Sequence, residues 1–322
     1  MIELAQDIAS FVVIESAIES ALLWLMVVVF LRLFRVSSPP IRQIAFSLPL
    51  LLPVMLVTVF HVLDPALPFP LERSGPLDVL IFESLVLPLP LAVVFSVAGV
   101  VGICASLSVL VRQCVLWGRA CAAWRSQQRE QSYLRLRCSA MLDALATAFE
   151  CRAPRLVIME GGSAGSLALG WCSYIFVPQT LAARLDDEEL RALLAHELGH
   201  TIRRDGLLDF LAKVCRNLML FNPLAHMALS KFDVEREMAT DDLVARDRRS
   251  RLALASCLLK GYRFQTRRAW VPVTSLIGGR SALARRVRRL VYEAAPQPPS
   301  TFAWVTVAAL TGLSGVALAA LA

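Results

Sequence analysis

Two histidines four residues apart, with a glutamate straight after the first, stand at 196–200 as H-E-L-G-H. On a helix, positions i and i+4 are offset by about 40° and about 6 Å along the axis. His196 and His200 therefore leave one face and can hold one divalent ion between them. Glu197 reaches a water on that ion instead; it takes the water's proton and returns it to a leaving amine. Zinc suits imidazole and carboxylate donors and has no redox chemistry of its own. A catalytic zinc needs a third protein ligand and an open fourth position. The chain after His200 offers Asp205, Asp209, His226, Asp233, Glu235, Glu237, Asp241 and Asp242. Glu237 is the expected ligand, on a helix that returns antiparallel to the first. Asp241, one turn further on, is expected to accept the outer N–H of a ligand histidine and so fix its tautomer. Glu235 points about 200° away and reads as surface. His226 and His61 read as structural.

The elements that must position these groups are legible around them. Asp186 or Asp187 can cap a helix, with Glu188 and Glu189 in its positive first turn. That helix is expected to run to about Arg204. A second covers about 207–220. Asn222 and Pro223 start a third, which reaches about Arg246, and two further helices follow. Upstream, 132–150 reads as a helix with Leu134, Met141, Leu142, Leu145 and Phe149 on one apolar side. Between them lie three short β-like runs, at 155–160, 166–170 and 174–178, with a turn at Gly161 and Gly162. The stretch 161–170 lacks the G-K-[ST] of a phosphate loop. It is expected to form an edge strand that pairs with an extended peptide. The fold class is α+β and mostly helical.

The domain does not stand alone. Apolar residues make up 57% of the 322, and mean hydropathy is +0.59, above the about 45–50% apolar content of soluble domains. The excess lies in long uncharged runs at 84–111 and 302–322, and at 44–63, where His61 is the only titratable group. About 20 residues of helix cross a bilayer core, so each run is expected to span. A first span at 11–33 includes Glu15 and Glu19, which are expected near headgroups and water. The expected organisation is a membrane domain at 1–111 with helices at about 11–33, 43–63 and 84–111, a cytoplasmic metallopeptidase domain at 112–300, and a fourth transmembrane helix at 301–322.

Charge sets the orientation. Residues 1–111 hold 4 Arg and 8 acidic residues; residues 112–322 hold 29 Lys and Arg against 18 acidic residues. Arg32, Arg35 and Arg42 follow the first span, whereas the next loop carries Asp64, Glu72, Arg73 and Asp78. Positive loops stay in the cytoplasm. The chain is thus expected to be a multi-pass membrane protein with both termini outside and the domain inside. The basic residues flank spans without interleaved aromatics, which fits membrane lipids and topology rather than nucleic acid. Seven of the eight cysteines fall in the cytoplasmic part and none forms C-x-x-C, so free thiols are expected. The acidic N-terminus does not read as a cleavable signal.

Three stretches resemble the BlaR/MecR-type membrane zinc metallopeptidases, the antirepressor signal transducers of β-lactam resistance. They are YIFVPQTLAARLDDEELRALLAHELGHTIRRD at 174–205, FNPLAHMALSKFDVEREMATDDLVA at 221–245 and GGRSALARRVRRL at 278–290. The resemblance implies a gluzincin fold, His196, His200 and Glu237 as zinc ligands, Glu197 as base and Asp241 behind a ligand. It also implies cleavage of a cytoplasmic protein, often a winged-helix transcriptional repressor, and sometimes self-cleavage. The β-lactam sensors carry a penicillin-binding domain after the last span, whereas this sequence ends at Ala322. A signal is therefore expected through the spans, the outer loops, a second copy or a separate sensor partner. A quality-control protease of the heat-shock HtpX type and a zinc-stabilised scaffold without activity are the alternatives; three spans before the site argue against the first.

Overall fold

The protein is described from a computed structural model that covers residues 2–58, 89–127, 132–160, 164–169, 172–266 and 273–293, with 308 and 312 in addition. Apolar sequence without Gly or Pro carries α1 (Ile2–Leu33). Two prolines, Pro49 and Pro53, lie inside α2 (Pro39–Thr58). The helix α3 (Leu89–Gln127) runs for 39 residues, roughly 58 Å at 1.5 Å per residue. That is longer than a bilayer, as expected for a span that continues beyond the lipid. Among the described residues, two helices are long and apolar enough to cross a membrane, at Ser16–Leu33 and Val93–Gln127. Of the other expected spans, 59–63 of the second and nearly all of 301–322 lie outside the described residues.

The chain forms two compact units. The first comprises Met1–Val111, Phe210–Glu235 and Pro299–Ala322; the second comprises Arg112–Asp209 and Arg236–Pro298. A stretch from the middle of the expected cytoplasmic segment therefore packs with the apolar N-terminal helices. Val27 and Leu31 of α1, Ala45, Phe46, Leu48 and Leu50 of α2, and Ala212, Met219, Ala228 and Phe232 share one buried cluster. Ser16, Glu19, Ser20 and Gln43 are also buried in this unit. Glu19, at 6% exposure, is thus inside protein rather than among headgroups as expected.

The second unit contains a three-stranded sheet in the order β1-β3-β2, built from β1 (Arg155–Met159), β2 (Gly165–Leu169) and β3 (Cys172–Pro178). Strands β1 and β3 are parallel; β2 and β3 are antiparallel, with Gly165 opposite Phe176 and Leu169 opposite Cys172. Strand β2 is an edge, as expected. Its main core joins Leu142 and Leu145 of α4 (Tyr133–Ala148) to Ile175 and Val177 of β3 and to Leu190, Leu194 and Leu198 of α6 (Asp187–Ile202). Leu134, Met141 and Phe149 pack on the same cluster, so the apolar side of α4 is the one the sequence indicates. A short helix, α5 (Gln179–Ala182), links β3 to α6. The rest is helical: α7 (Asp205–Leu218), α8 (Pro223–Val244), α9 (Arg248–Thr266) and α10 (Val273–Tyr292).

Candidate metal centre

The site begins with a capped helix. Asp186 caps α6: its carboxylate accepts from the Glu189 amide at 2.9 Å, and the Glu189 carboxylate accepts from the Asp186 amide at 3.1 Å. This reciprocal pair satisfies two of the orphan amides of a helix start. Glu189 also accepts from Ser256 and from Lys260, both at 2.6 Å, which ties α6 to α9. Helix α6 is thereby fixed before it reaches its histidines.

His196 and His200 leave α6 on one face, their Nε2 atoms 3.2 Å apart. Glu237 comes from α8, with Oε2 3.4 Å from His196 Nε2 and Oε1 3.6 Å from His200 Nε2. The three potential ligand atoms lie within 4.8 Å of one another. Gly199 permits this approach. A Cβ there would meet Thr240 Cγ2 at 2.8 Å and Val244 Cγ1 at 2.9 Å, so α8 could not lie as close to any other residue.

Each outer imidazole nitrogen faces a carboxylate. His200 Nδ1 is 2.8 Å from Asp205 Oδ2, and His196 Nδ1 is 3.1 Å from Asp241 Oδ1. The Asp205 carboxylate behind His200 Nδ1 keeps the proton there and leaves the Nε2 lone pair pointing inward, whereas His196 Nδ1 lies near Asp241 without an aligned hydrogen bond. Two imidazole nitrogens and a carboxylate oxygen thus offer three metal-ligand atoms within 4.8 Å of one another. Burial depresses the His196 pKa, but the Asp241 and Glu237 carboxylates outweigh it and push it up to about 9. Burial likewise opposes, and Asp205 and Glu237 override it in raising, the His200 pKa. The donor set therefore fits a divalent cation such as zinc, whose usual ligands are these.

Arginines hold the carboxylates. Arg286 of α10 forks onto Asp241, Nε to Oδ2 and Nη2 to Oδ1, both at 2.8 Å, and its Nη1 donates to Glu237 Oε2 at 2.9 Å. Arg236 donates to Glu237 Oε1 at 3.2 Å and to Asp209. Burial would raise the Glu237 pKa, yet its histidine partners and Arg286 hold it well below the usual carboxylate range.

Glu197 is buried at 7% exposure. Burial raises its pKa, and the two histidines and Ser166 offset part of that. Glu197, His196, His200, Glu237 and Ser166 all line one cavity of about 280 Å³. The edge strand β2 borders it through Gly165 and Ser166.

The structure thus brings together His196, Glu197, His200, Glu237 and Asp241, as the spacing predicts. It corrects one reading: Glu235 is not surface but 4% exposed, and it accepts from Arg42 Nε at 2.7 Å. His226 is structural, donating from Nε2 to the Leu220 carbonyl at 3.0 Å. Tyr174 does not line the cavity; it is fully buried and bonded to Cys121 and Arg155. Sequence reasoning missed Arg286, hidden in a basic stretch read as topological, and the pairing of Asp205 with His200.

A mostly helical chain with membrane-length helices and a His–His–Glu cluster beside a buried glutamate has the make-up of a membrane metallopeptidase. The family comparison agrees. The BlaR1 peptidase M56 family model matches residues 11–290, and the chain belongs to that family. No curated protein matches the chain.

Proposed function

We propose that the chain is an integral-membrane zinc endopeptidase of the gluzincin type that cleaves a cytoplasmic protein, such as a winged-helix repressor. The observation that carries this reading is the convergence of His196, His200 and Glu237 within 4.8 Å, with Glu197 opening on the same cavity. In this reading His196, His200 and Glu237 hold the zinc, and Asp241 and Asp205 fix the imidazoles from behind. The metal, when bound, supplies Lewis acidity to water and carbonyl. Glu197 takes the proton of the attacking water and delivers it to the leaving amine. Its place on the cavity beside both histidines suits both steps. The free edge of β2 offers main-chain hydrogen bonds to an extended substrate beside the cavity.

The charge asymmetry supports an inner-membrane placement with the catalytic domain, 112–300, on the cytoplasmic side, spans within 1–111 and at 301–322, and both termini outside. The resemblance to the antirepressor transducers supports a repressor as substrate. The test compares wild type with Glu197→Gln by N-terminal proteomics in cells. Wild type is expected to yield a new N-terminus in a cytoplasmic protein. Glu197→Gln is expected to lose it while the purified variant retains one zinc. Equal cleavage by both would sink the proposal.

A further inference from the structure

We infer that Phe210–Glu235, the turn-connected ends of α7 and α8, is a re-entrant hairpin whose outer face lies in membrane lipid. This goes beyond the peptidase reading and reassigns part of the segment expected in the cytoplasm. The hairpin belongs to the first unit, with α1, α2 and the first part of α3. Its contacts with α3 follow an antiparallel register. Ser106 Oγ lies 3.5 Å from the Val214 carbonyl, to which it donates, and the rings of Phe95 and Phe221 meet edge to face at 5.6 Å. Between them Gly102 sits so close that a Cβ would overlap the Asn217 carbonyl. These three α3 residues lie along its apolar, outward-exposed stretch. From Ser106 to Phe95 is about 16 Å of helix, about half a hydrocarbon core.

Helix α1 gives the same depth. Ser20 Oγ lies 3.8 Å from Met219 Sδ and 3.4 Å from the Pro49 carbonyl. Ser20 is about 18 Å along the helix from Arg32. The tip of the hairpin therefore stands level with the middle of the first apolar helix.

Several polar groups of the turn find partners within the protein, although Asn222 Nδ2 has none among the described residues. Irregular backbone at membrane depth survives only where its polar groups are satisfied within the protein. Here the Asn222 amide donates to Met219 O at 2.9 Å, Asn222 Oδ1 accepts from the Leu224 amide at 3.0 Å, and His226 caps the Leu220 carbonyl at 3.0 Å. Between 214 and 230 the only side chains that carry or acquire positive charge are Arg216 and His226. Arg216 lies in the last turn of α7, where helix carbonyls favour a cation, and its Nε is buried without a hydrogen-bond partner among the described residues.

The outer face has lipid chemistry. Leu211 is 39% and Met227 49% exposed, and Leu207 and Leu208 extend the same apolar strip on α7. In the same unit α3 turns outward Val93, Val97, Val100 and Leu107. The hairpin packs directly on a membrane-length helix that turns apolar side chains outward, so the occupant of its own apolar face is lipid rather than a second protein.

The test is photocrosslinking of the full-length chain in nanodiscs of phosphatidylethanolamine and phosphatidylglycerol. A benzophenone amino acid replaces Leu211, Met227, Val97 or Tyr133 in turn. Leu211, Met227 and Val97 are expected to gain the mass of one phospholipid, with Tyr133 at background. Adducts at Val97 but not at Leu211 or Met227, or links from those two to a second copy, would overturn the hairpin alone. No adduct at Val97 would overturn it together with the membrane reading of α3.

Discussion

At the scale of single residues, the site depends on groups behind the histidines as much as on the histidines. Asp241 was legible because it stands four residues after Glu237 on one helix, so a single periodicity places both. Asp205 was not. The chain leaves helical periodicity at Arg204, which has a positive φ of 56°, and that bend turns Asp205 back onto His200. No regular spacing announces such a contact. Arg203 and Thr240 hold the Asp205 carboxylate at 3.2 Å each, so it is a fixed partner rather than a mobile one. Removing such a partner costs about 10–100-fold in metal affinity. Asp205→Ala and Asp241→Ala are each expected to weaken zinc binding by about that factor, measured by chelator competition. Asp209→Ala, which touches Arg236 rather than a histidine, is expected to change it far less.

At the scale of elements, two devices set the spacing of α6. The first is Gly199, inside the H-E-L-G-H run. Sequence reading treats its glycine as a free position, yet the residue is where α8 passes. Thr240 and Val244 are β-branched and stiff, so a methyl group there moves helices rather than side chains. Gly199→Ala is expected to destabilise by about 1–3 kcal/mol, as overpacking does. Because the displaced helix carries Glu237, zinc affinity is expected to fall as well; calorimetry and thermal unfolding together check this. The second device is Glu189, whose place in the first turn was legible from D-D-E-E but whose reciprocal cap and partners on α9 were not, the latter because they lie about seventy residues away. Burial would raise its pKa, but Lys260 and Ser256 lower it below the ordinary value. A depressed folded-state pKa stabilises above the unfolded value and is lost as pH falls through the folded one. Wild type is thus expected to lose thermal stability as pH drops below about 4.5, the ordinary glutamate value. Glu189→Gln is expected to be less stable at neutral pH and to show a shallower acid dependence.

At the scale of the whole molecule, length and charge made two membrane-length helices readable, because runs without charge need no partner to be recognised. The return of Phe210–Glu235 to the first unit was not readable. Its polar outliers, Asp233, Glu235 and Lys213, mimic an ordinary soluble hairpin, and one of them meets its partner nearly two hundred residues away. Arg42 has two roles for this reason. During insertion it counts among the basic residues after the first helix; in the folded chain it donates to Glu235, which is 6% exposed at its side chain. The proposed orientation rests on the basic residues that flank the spans, Arg32 and Arg35 among them, so losing one arginine is expected to leave it intact. The fold is less tolerant, because Arg42→Gln strands a buried carboxylate. The expected loss is about 3 kcal/mol, near the lower bound for breaking a buried pair, since Arg42 remains 31% exposed at its side chain. Replacing both partners by apolar residues, Arg42→Met with Glu235→Leu, removes the stranded charge and is expected to recover most of that loss. Thermal unfolding in detergent measures both steps, and protease protection in inverted vesicles reports orientation. A double variant no more stable than Arg42→Gln would mean that the pair contributes through something other than charge burial.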